Sequence, residues 1–204
     1  LTQILLGAVT VLLELPPYIV LVHLGLAMIL LGALVGIAVM ATPRAADPSG
    51  SLAAFDHPVP DRARFRRLAL ASVGAVYLLM LIGAYVRASG STWACSGFPT
   101  CNGELLPFGA NRFVDIHLLH RLAAYAVSAH LIVTVARAWR TERGSQAIAL
   151  AAVAVIGWLV TQIAIGATMV SMGVPPIGQV VHVAGAAGLW VATVTLALLS
   201  FRDG

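Results

Sequence analysis

The stretch TQIAIGATMVSMGVPPIGQVVH, residues 161–182, repeats without a gap the arrangement of TQILLGAVTVLLELPPYIVLVH, residues 2–23. Four features keep their register across a shift of 159 residues: a Thr-Gln pair, a Gly-Ala pair, a Pro-Pro pair and a single histidine. The histidines are His23 and His182, and each follows the second proline by six residues. Chance rarely preserves four such features in order, so we interpret the chain as containing an internal repeat.

The composition is typical of a membrane protein. The chain has 204 residues, of which 60% are hydrophobic and 10% are charged, and its mean hydropathy is +0.95. Soluble domains are much more polar. Residues 1–15 are interpreted as the end of one helix, stopped at Pro16-Pro17. Five further segments are apolar enough, over about twenty residues each, to cross a bilayer: 19–42, 68–86, 113–136, 147–170 and 180–201. We therefore predict an all-α fold, a polytopic transmembrane helical bundle.

All twelve basic residues are arginine, and their positions predict the orientation of the chain in the membrane. They concentrate in the segments that follow the second, fourth and last spans, and loops rich in arginine stay in the cytoplasm. The C-terminus is then cytoplasmic, and the loop between the third and fourth spans lies outside. Because topology explains the net charge of +4, we expect membrane lipid and no nucleic acid as a partner.

The external loop contains the two cysteines of the chain, Cys95 and Cys101, in SGSTWACSGFPTCNG, residues 89–103. An oxidising compartment favours a structural disulfide between them. A redox-active pair and a metal site are the alternatives. A metal site is the least favoured of the three, because no further thiol or clustered histidine accompanies the pair.

The repeat divides the chain into two halves. Residues 1–41 are predicted to be the last two helices of a first half-bundle, residues 42–67 a cytoplasmic linker, and residues 68–204 a complete four-helix half-bundle. Within the linker, FDHPVPDRARFRR, residues 55–67, is interpreted as solvated coil, and His57 in it as a solvated loop histidine. Because two helices of the first copy are lacking, we expect the chain to be the C-terminal portion of a longer protein or a shortened form.

Histidines inside the spans are the candidate site, because an ionisable side chain in a membrane helix usually marks function. Spans alternate in direction, so His120 and His182 are predicted near the outer face at a similar depth, and His23 at that level in the first half. Two imidazoles on non-adjacent helices suit a porphyrin iron held from both sides. The alternative for each is a buried histidine bonded to a carbonyl, which we favour for His130. For His117, both uses remain open.

A bound haem also needs cations near water for its propionates. Arg87, just past the end of its helix, and Arg121, directly after His120, are the candidates for that role.

The stretch GAYVRASGSTWACSGFPTC, residues 83–101, followed by DIHLLHRLAAY, residues 115–125, resembles the second-half signature of the haem A synthase family. The paired TQIxxGA…PP…H elements resemble the closing helices of that family's two half-bundles. The resemblance implies an eight-helix, pseudo-symmetric oxidoreductase of the bacterial plasma membrane. Such an enzyme oxidises a methyl group of haem O to the formyl group of haem A, in support of haem-copper oxidases.

The resemblance also implies roles for individual residues. It assigns His120 and His182 to the iron of a haem b cofactor, His23 to the iron of the substrate haem, and Cys95 and Cys101 to an external pair. It implies haem O synthase, the protohaem farnesyltransferase, as the partner that supplies substrate, together with an electron donor that the sequence does not identify.

One family element is lacking in this chain. The family's glutamate-x-x-histidine-arginine motif belongs to the two helices that would precede residue 1, so no catalytic carboxylate is assigned here. In the second half, His117 stands three residues before His120, where that motif has its glutamate. A non-catalytic b-type cytochrome or haem-binding assembly factor is therefore the alternative function. A thiol-disulfide membrane protein that uses the cysteine pair is the second alternative.

Overall fold

The structure is a computed structural model that describes residues 1–13, 16–42, 59–142 and 144–202. These residues form six α-helices, one 3-10 turn at Ser91–Trp93 and no β-strand. The helices are α1 (Thr2–Leu12), α2 (Pro17–Ala41), α3 (Val59–Ala88), α4 (Arg112–Thr141), α5 (Gln146–Ser171) and α6 (Pro176–Arg202).

Helices α2 to α6 are each long and apolar enough to cross a membrane, and α1 is a shorter apolar helix. Four of the five predicted spans lie within these helices, the span 19–42 extends one residue beyond the end of α2, and residues 1–15 contain α1. The prediction of a polytopic helical bundle is therefore confirmed. The protein is a multi-pass membrane protein.

The interpretation of residues 55–67 as coil is wrong from Val59 onward, because α3 begins there. Phe65 and Ala69, one helical turn apart, are both 1% exposed, so this polar segment has a buried face. Asp61 lies in the first turn, where the helix dipole favours a negative charge, and its carboxylate is 3.1 Å from the Arg137 guanidinium of α4. Residues 43–58, with His57 and most of the predicted linker, lie outside the described residues.

Prolines and polar caps determine where the helices begin. The second proline of each Pro-Pro pair is the first residue of its helix, Pro17 in α2 and Pro176 in α6, because proline fits a first helical position and stops a preceding helix. Asn111 caps α4, since its Oδ1 accepts hydrogen bonds from the backbone of Phe113 at 3.0 Å and Val114 at 3.1 Å.

Helices α3 to α6 form a closed ring in which α3 packs on α4, α4 on α5, α5 on α6 and α6 on α3. This is the four-helix bundle predicted for the second half. Helix α2 packs on α3 and α6, and α1 packs on α2. Trp190 of α6 joins the halves, because its indole N–H donates to the Met28 carbonyl of α2 at 2.8 Å. Within its own bundle, its ring lies 5.7 Å from that of Tyr77 on α3.

Candidate functional site

The two candidate histidines lie at a similar height on two helices of the bundle. In the ring of four helices, α4 and α6 occupy opposite corners, and they carry His120 and His182. The two imidazoles are within electrostatic range of one another. His120 is eight residues from the start of α4 and His182 six from the start of α6, which places them about 12 Å and 9 Å along their helices. Both helices run in the same direction, so the two rings lie near the same end of the bundle.

A glycine on the preceding helix receives each of the three candidate histidines. A Cβ atom built on Gly83 would lie 3.0 Å from Cε1 of His120, one on Gly166 would lie 3.3 Å from Cε1 of His182, and one on Gly7 would lie 3.2 Å from Cε1 of His23. Each glycine stands five residues before the end of its helix. The same notch therefore occurs three times at one level, and each notch fixes the position of an imidazole ring.

The three histidines share a buried Nδ1 and differ at Nε2. Nδ1 of His23, His120 and His182 is buried and has no hydrogen-bond partner among the residues that the structure describes. Nε2 of His120 and of His182 is outside this buried set, and nothing in the described part of the chain hydrogen-bonds to it, whereas Nε2 of His23 lies 3.4 Å from the amide nitrogen of Gln3. In a neutral imidazole one nitrogen carries the hydrogen and the other the lone pair. For His120 and His182, Nε2 is thus the accessible nitrogen that could ligate.

These side chains fit a haem better than a bare metal ion. Within the described ranges, no group of three or more His, Cys, Asp or Glu side chains could hold a metal ion. A porphyrin supplies four nitrogens itself and needs only axial ligands from the protein. Two neutral imidazoles that approach from opposite corners of a bundle meet that need.

Comparison with known proteins agrees with this site. The COX15-CtaA family model, described as a cytochrome oxidase assembly protein, matches residues 1–194. This chain belongs to that family, the haem A synthases.

Individual relatives are similar over part of their length. A heme A synthase from Symbiobacterium thermophilum is 36% identical over 142 residues, which are 68% of this chain and 43% of that protein. A heme A synthase from Caulobacter sp. is 32% identical, again across 68% of this chain and 43% of its own length. A protoheme IX farnesyltransferase 1 from Natronomonas pharaonis is 34% identical over 43% of this chain and 19% of its own length. The chain spans less than half the length of these relatives. No solved structure matches it.

The loop between α3 and α4 of this haem A synthase family member is closed by a disulfide. Cys95 and Cys101 are bonded to each other and are 1% and 0% exposed. Asn102 stabilises the loop with three hydrogen bonds. Its Nδ2 donates to the Ala94 carbonyl, and its Oδ1 accepts from the backbone N–H and the hydroxyl of Ser96. A buried disulfide of this kind suits a structural role, since thiol exchange requires access to the sulfur atoms.

The predicted propionate partners differ in position. Arg121 is buried at 9% exposure, and its two terminal nitrogens donate to the Thr100 and Gly97 carbonyls at 3.0 Å each. It therefore ties α4 to the disulfide loop. The guanidinium of Arg87 lies 5.7 Å from the centre of the Trp93 ring, and the side chain is exposed. Their contact with propionates stays a prediction.

The remaining span histidines have backbone partners. Nδ1 of His117 lies 3.0 Å from the Ser91 carbonyl and therefore donates to it, so His117 links α4 to the loop that precedes it. Nε2 of His130 lies 3.3 Å from the Leu68 carbonyl of α3, which agrees with the structural role favoured for it. Nδ1 of His120 and of His182 has no such partner, and this contrast separates the candidate ligands from the structural histidines.

Contacts of the repeat's other residues were not predicted from the sequence. The Gly-Ala pair was visible as a repeat feature, but the sequence alone did not show that its glycine receives the histidine ring. The Thr-Gln pair supplies Gln3 and Gln162, whose side-chain amides donate to the carbonyls of His23 at 3.0 Å and His182 at 2.8 Å.

Proposed function

We propose that this chain is the haem-binding part of a haem A synthase, which oxidises a methyl group of haem O to the formyl group of haem A. The observation that carries the proposal is the pair His120 and His182, whose Nε2 atoms remain accessible on helices at opposite corners of one bundle. We infer that these two atoms ligate the iron of haem b. The names of the similar heme A synthases support a role in haem A biosynthesis.

The described residues would hold and shield the cofactor rather than react themselves. The glycine notches at Gly83 and Gly166 would keep each imidazole at one height, from which Nε2 of His120 and Nε2 of His182 could hold a haem. Arg121 and the disulfide loop, which it binds at the start of α4, would limit the access of water at that end of the bundle. When bound, haem b supplies an iron that passes single electrons.

The substrate haem is assigned to His23. Its helix α2 packs directly on α3 and α6 of the haem b bundle, and its notch at Gly7 repeats those of the bundle. Converting a methyl into a formyl group removes four electrons and adds one oxygen atom, so a neighbouring electron relay suits the chemistry. We expect haem O to come from a farnesyltransferase, a class to which one of the similar proteins belongs by name.

The test is the haem content of the chain purified in detergent from cells that also make haem O. We expect the wild-type chain to contain haem b, and His120→Ala and His182→Ala each to lose it. His130→Ala is the matched control, because His130 bonds to a helix carbonyl, and it should retain haem b.

Haem O or haem A in addition to haem b would support the substrate assignment, above all if His23→Ala removes only that second haem. A wild-type chain without haem b, or one whose haem b survives both ligand substitutions, would contradict the proposal.

A further inference from the structure

Two glutamines of the repeat donate hydrogen bonds to the backbone carbonyls of candidate ligands. Nε2 of Gln162 on α5 donates to the His182 carbonyl at 2.8 Å, and Nε2 of Gln3 on α1 donates to the His23 carbonyl at 3.0 Å. Both bonds span 20 residues of sequence. A carbonyl only accepts hydrogen bonds, so the amide nitrogen is the atom that faces it. The direction of each amide oxygen is thereby also determined.

Each glutamine and its histidine also contain a buried polar atom without a hydrogen-bond partner among the described residues. Oε1 of Gln3 and Oε1 of Gln162 are buried and lack a hydrogen-bond partner within the described residues, and so is Nδ1 of the histidine that each glutamine holds. Once Nε2 of an imidazole binds iron, Nδ1 carries a hydrogen and is a donor. An amide oxygen is an acceptor. Leaving both atoms unpaired in a buried site is unfavourable.

The donor and the acceptor belong to the same helix interface. The edge of the His182 ring that holds Cε1 and Nδ1 faces Gly166, at 3.3 and 3.8 Å from the position of a Cβ there. Gly166 follows Gln162 by one helical turn. On the other side of the amide, a Cβ on Gly185 would lie only 2.5 Å from Oε1 of Gln162. The backbone of α6 thus leaves room for this amide between the two helices.

His120 has no counterpart of this glutamine. Gln3 and Gln162 each stand four residues before the glycine of their notch, and the same position before Gly83 is Leu79. The two histidines of the haem b bundle therefore have unequal surroundings, and only the one on the repeated element has an amide beside it.

We propose that Gln162 is the positioning residue of His182, and that its Oε1 accepts the hydrogen bond of Nδ1–H when Nε2 ligates iron. At His23 the amide nitrogen of Gln3 also lies 3.4 Å from Nε2 of the ring, so the inference is confined to Gln162 and His182. This inference rests on the proposed function, because it assumes that His182 is a ligand. Ligating histidines commonly donate their second N–H to an oxygen acceptor, which raises the basicity of the ligand. A more basic imidazole stabilises ferric iron, so Gln162 lowers the reduction potential of haem b.

The test uses the complete chain purified in detergent and loaded with haem b, in wild type, Gln162→Leu and Gln162→Glu. Gln179→Leu is the matched control, because Gln179 lies on α6 and donates to the loop carbonyl of Val174 at 3.3 Å. The readouts are the reduction potential of the haem and its rate of transfer to apomyoglobin. We expect Gln162→Leu to raise the potential and to release haem at least about tenfold faster. A carboxylate is a stronger acceptor, so Gln162→Glu should leave the potential at or below the wild-type value.

A merely structural role of Gln162 predicts a different pattern, in which both substitutions raise the potential together. That result would overturn the inference, and so would a Gln162→Leu chain that matches Gln179→Leu in both readouts. If the leucine variant does not fold, the sign of the shift in Gln162→Glu decides. These outcomes presuppose that wild type binds haem b and that His182→Ala removes it. If either condition fails, the proposed function fails first.

Discussion

Replacing Gly83 with alanine tests the haem site at the tightest of its three notches. The new Cβ would lie 3.0 Å from Cε1 of His120, whereas carbon atoms pack at about 3.5–4.0 Å. The imidazole therefore has to move away from α3 by at least about half an ångström. If His120 and His182 ligate the same iron, as proposed, this displacement strains the ligated state.

The size of the effect follows from that overlap. Adding a methyl group to a filled site costs about 1–3 kcal/mol, and each 1.4 kcal/mol is about tenfold in a binding constant. If the cost falls on the loaded state, Gly83→Ala lowers the affinity for haem b by about 5- to 150-fold. The corresponding contact at Gly166 is 3.3 Å, so Gly166→Ala should weaken binding less.

Titration of the purified chain with haem b, followed by its Soret absorbance, measures these affinities. Gly74→Ala on α3 and Gly157→Ala on α5 are matched controls, because a Cβ at either position meets no atom within 4 Å. Alanine also favours helix more than glycine does, so both controls should bind haem as the wild type does. The reasoning is refuted if Gly83→Ala binds as tightly as Gly74→Ala, or if Gly166→Ala is the weaker binder of the two notch variants.

Three further predictions concern the parts that surround the site. Replacing Cys95 and Cys101 with serine should lower the free energy of unfolding by about 2 kcal/mol while haem b is retained; loss of haem on purification would show that the loop does more than stabilise. Arg121→Gln should increase amide hydrogen exchange in the disulfide loop, because each lost bond from a charged donor is worth about 1.5–3 kcal/mol, and unchanged exchange would contradict the contact. Trp190→Phe should cost about 1 kcal/mol in denaturant unfolding, since it removes the indole donor to Met28, and an unchanged midpoint would argue against that bond.

The spans could be predicted from the sequence because a membrane helix needs little beyond length and apolarity. That His120 and His182 lie a similar distance along helices of the same direction also followed from the alternation of helix direction. The start of α3 could not be predicted in this way. Its arginines suggest solvent, and only the packing of Phe65 and Ala69 against neighbouring helices shows that the polar segment continues the helix.

The surroundings of the ligands depend on contacts between helices, which no single segment encodes. Arg121 follows His120 in sequence and was predicted to face the propionates, yet its terminal nitrogens donate to carbonyls of the disulfide loop. The fold of that loop brings those carbonyls to it. In the same way, Gly83 becomes a notch only because α4 lies against α3 at that height.

The features of the repeat act together on one side chain. The second proline starts the helix six residues before the histidine, which determines how deep the ring lies. The glycine of the preceding helix leaves space for the edge of the ring, and the glutamine one turn earlier holds the carbonyl of the same histidine. Each feature alone is common in membrane helices, where small residues and amides often mediate packing. Their recurrence in register at His23 and His182 is explained if the repeated unit is one device for presenting an imidazole at a fixed height and rotation.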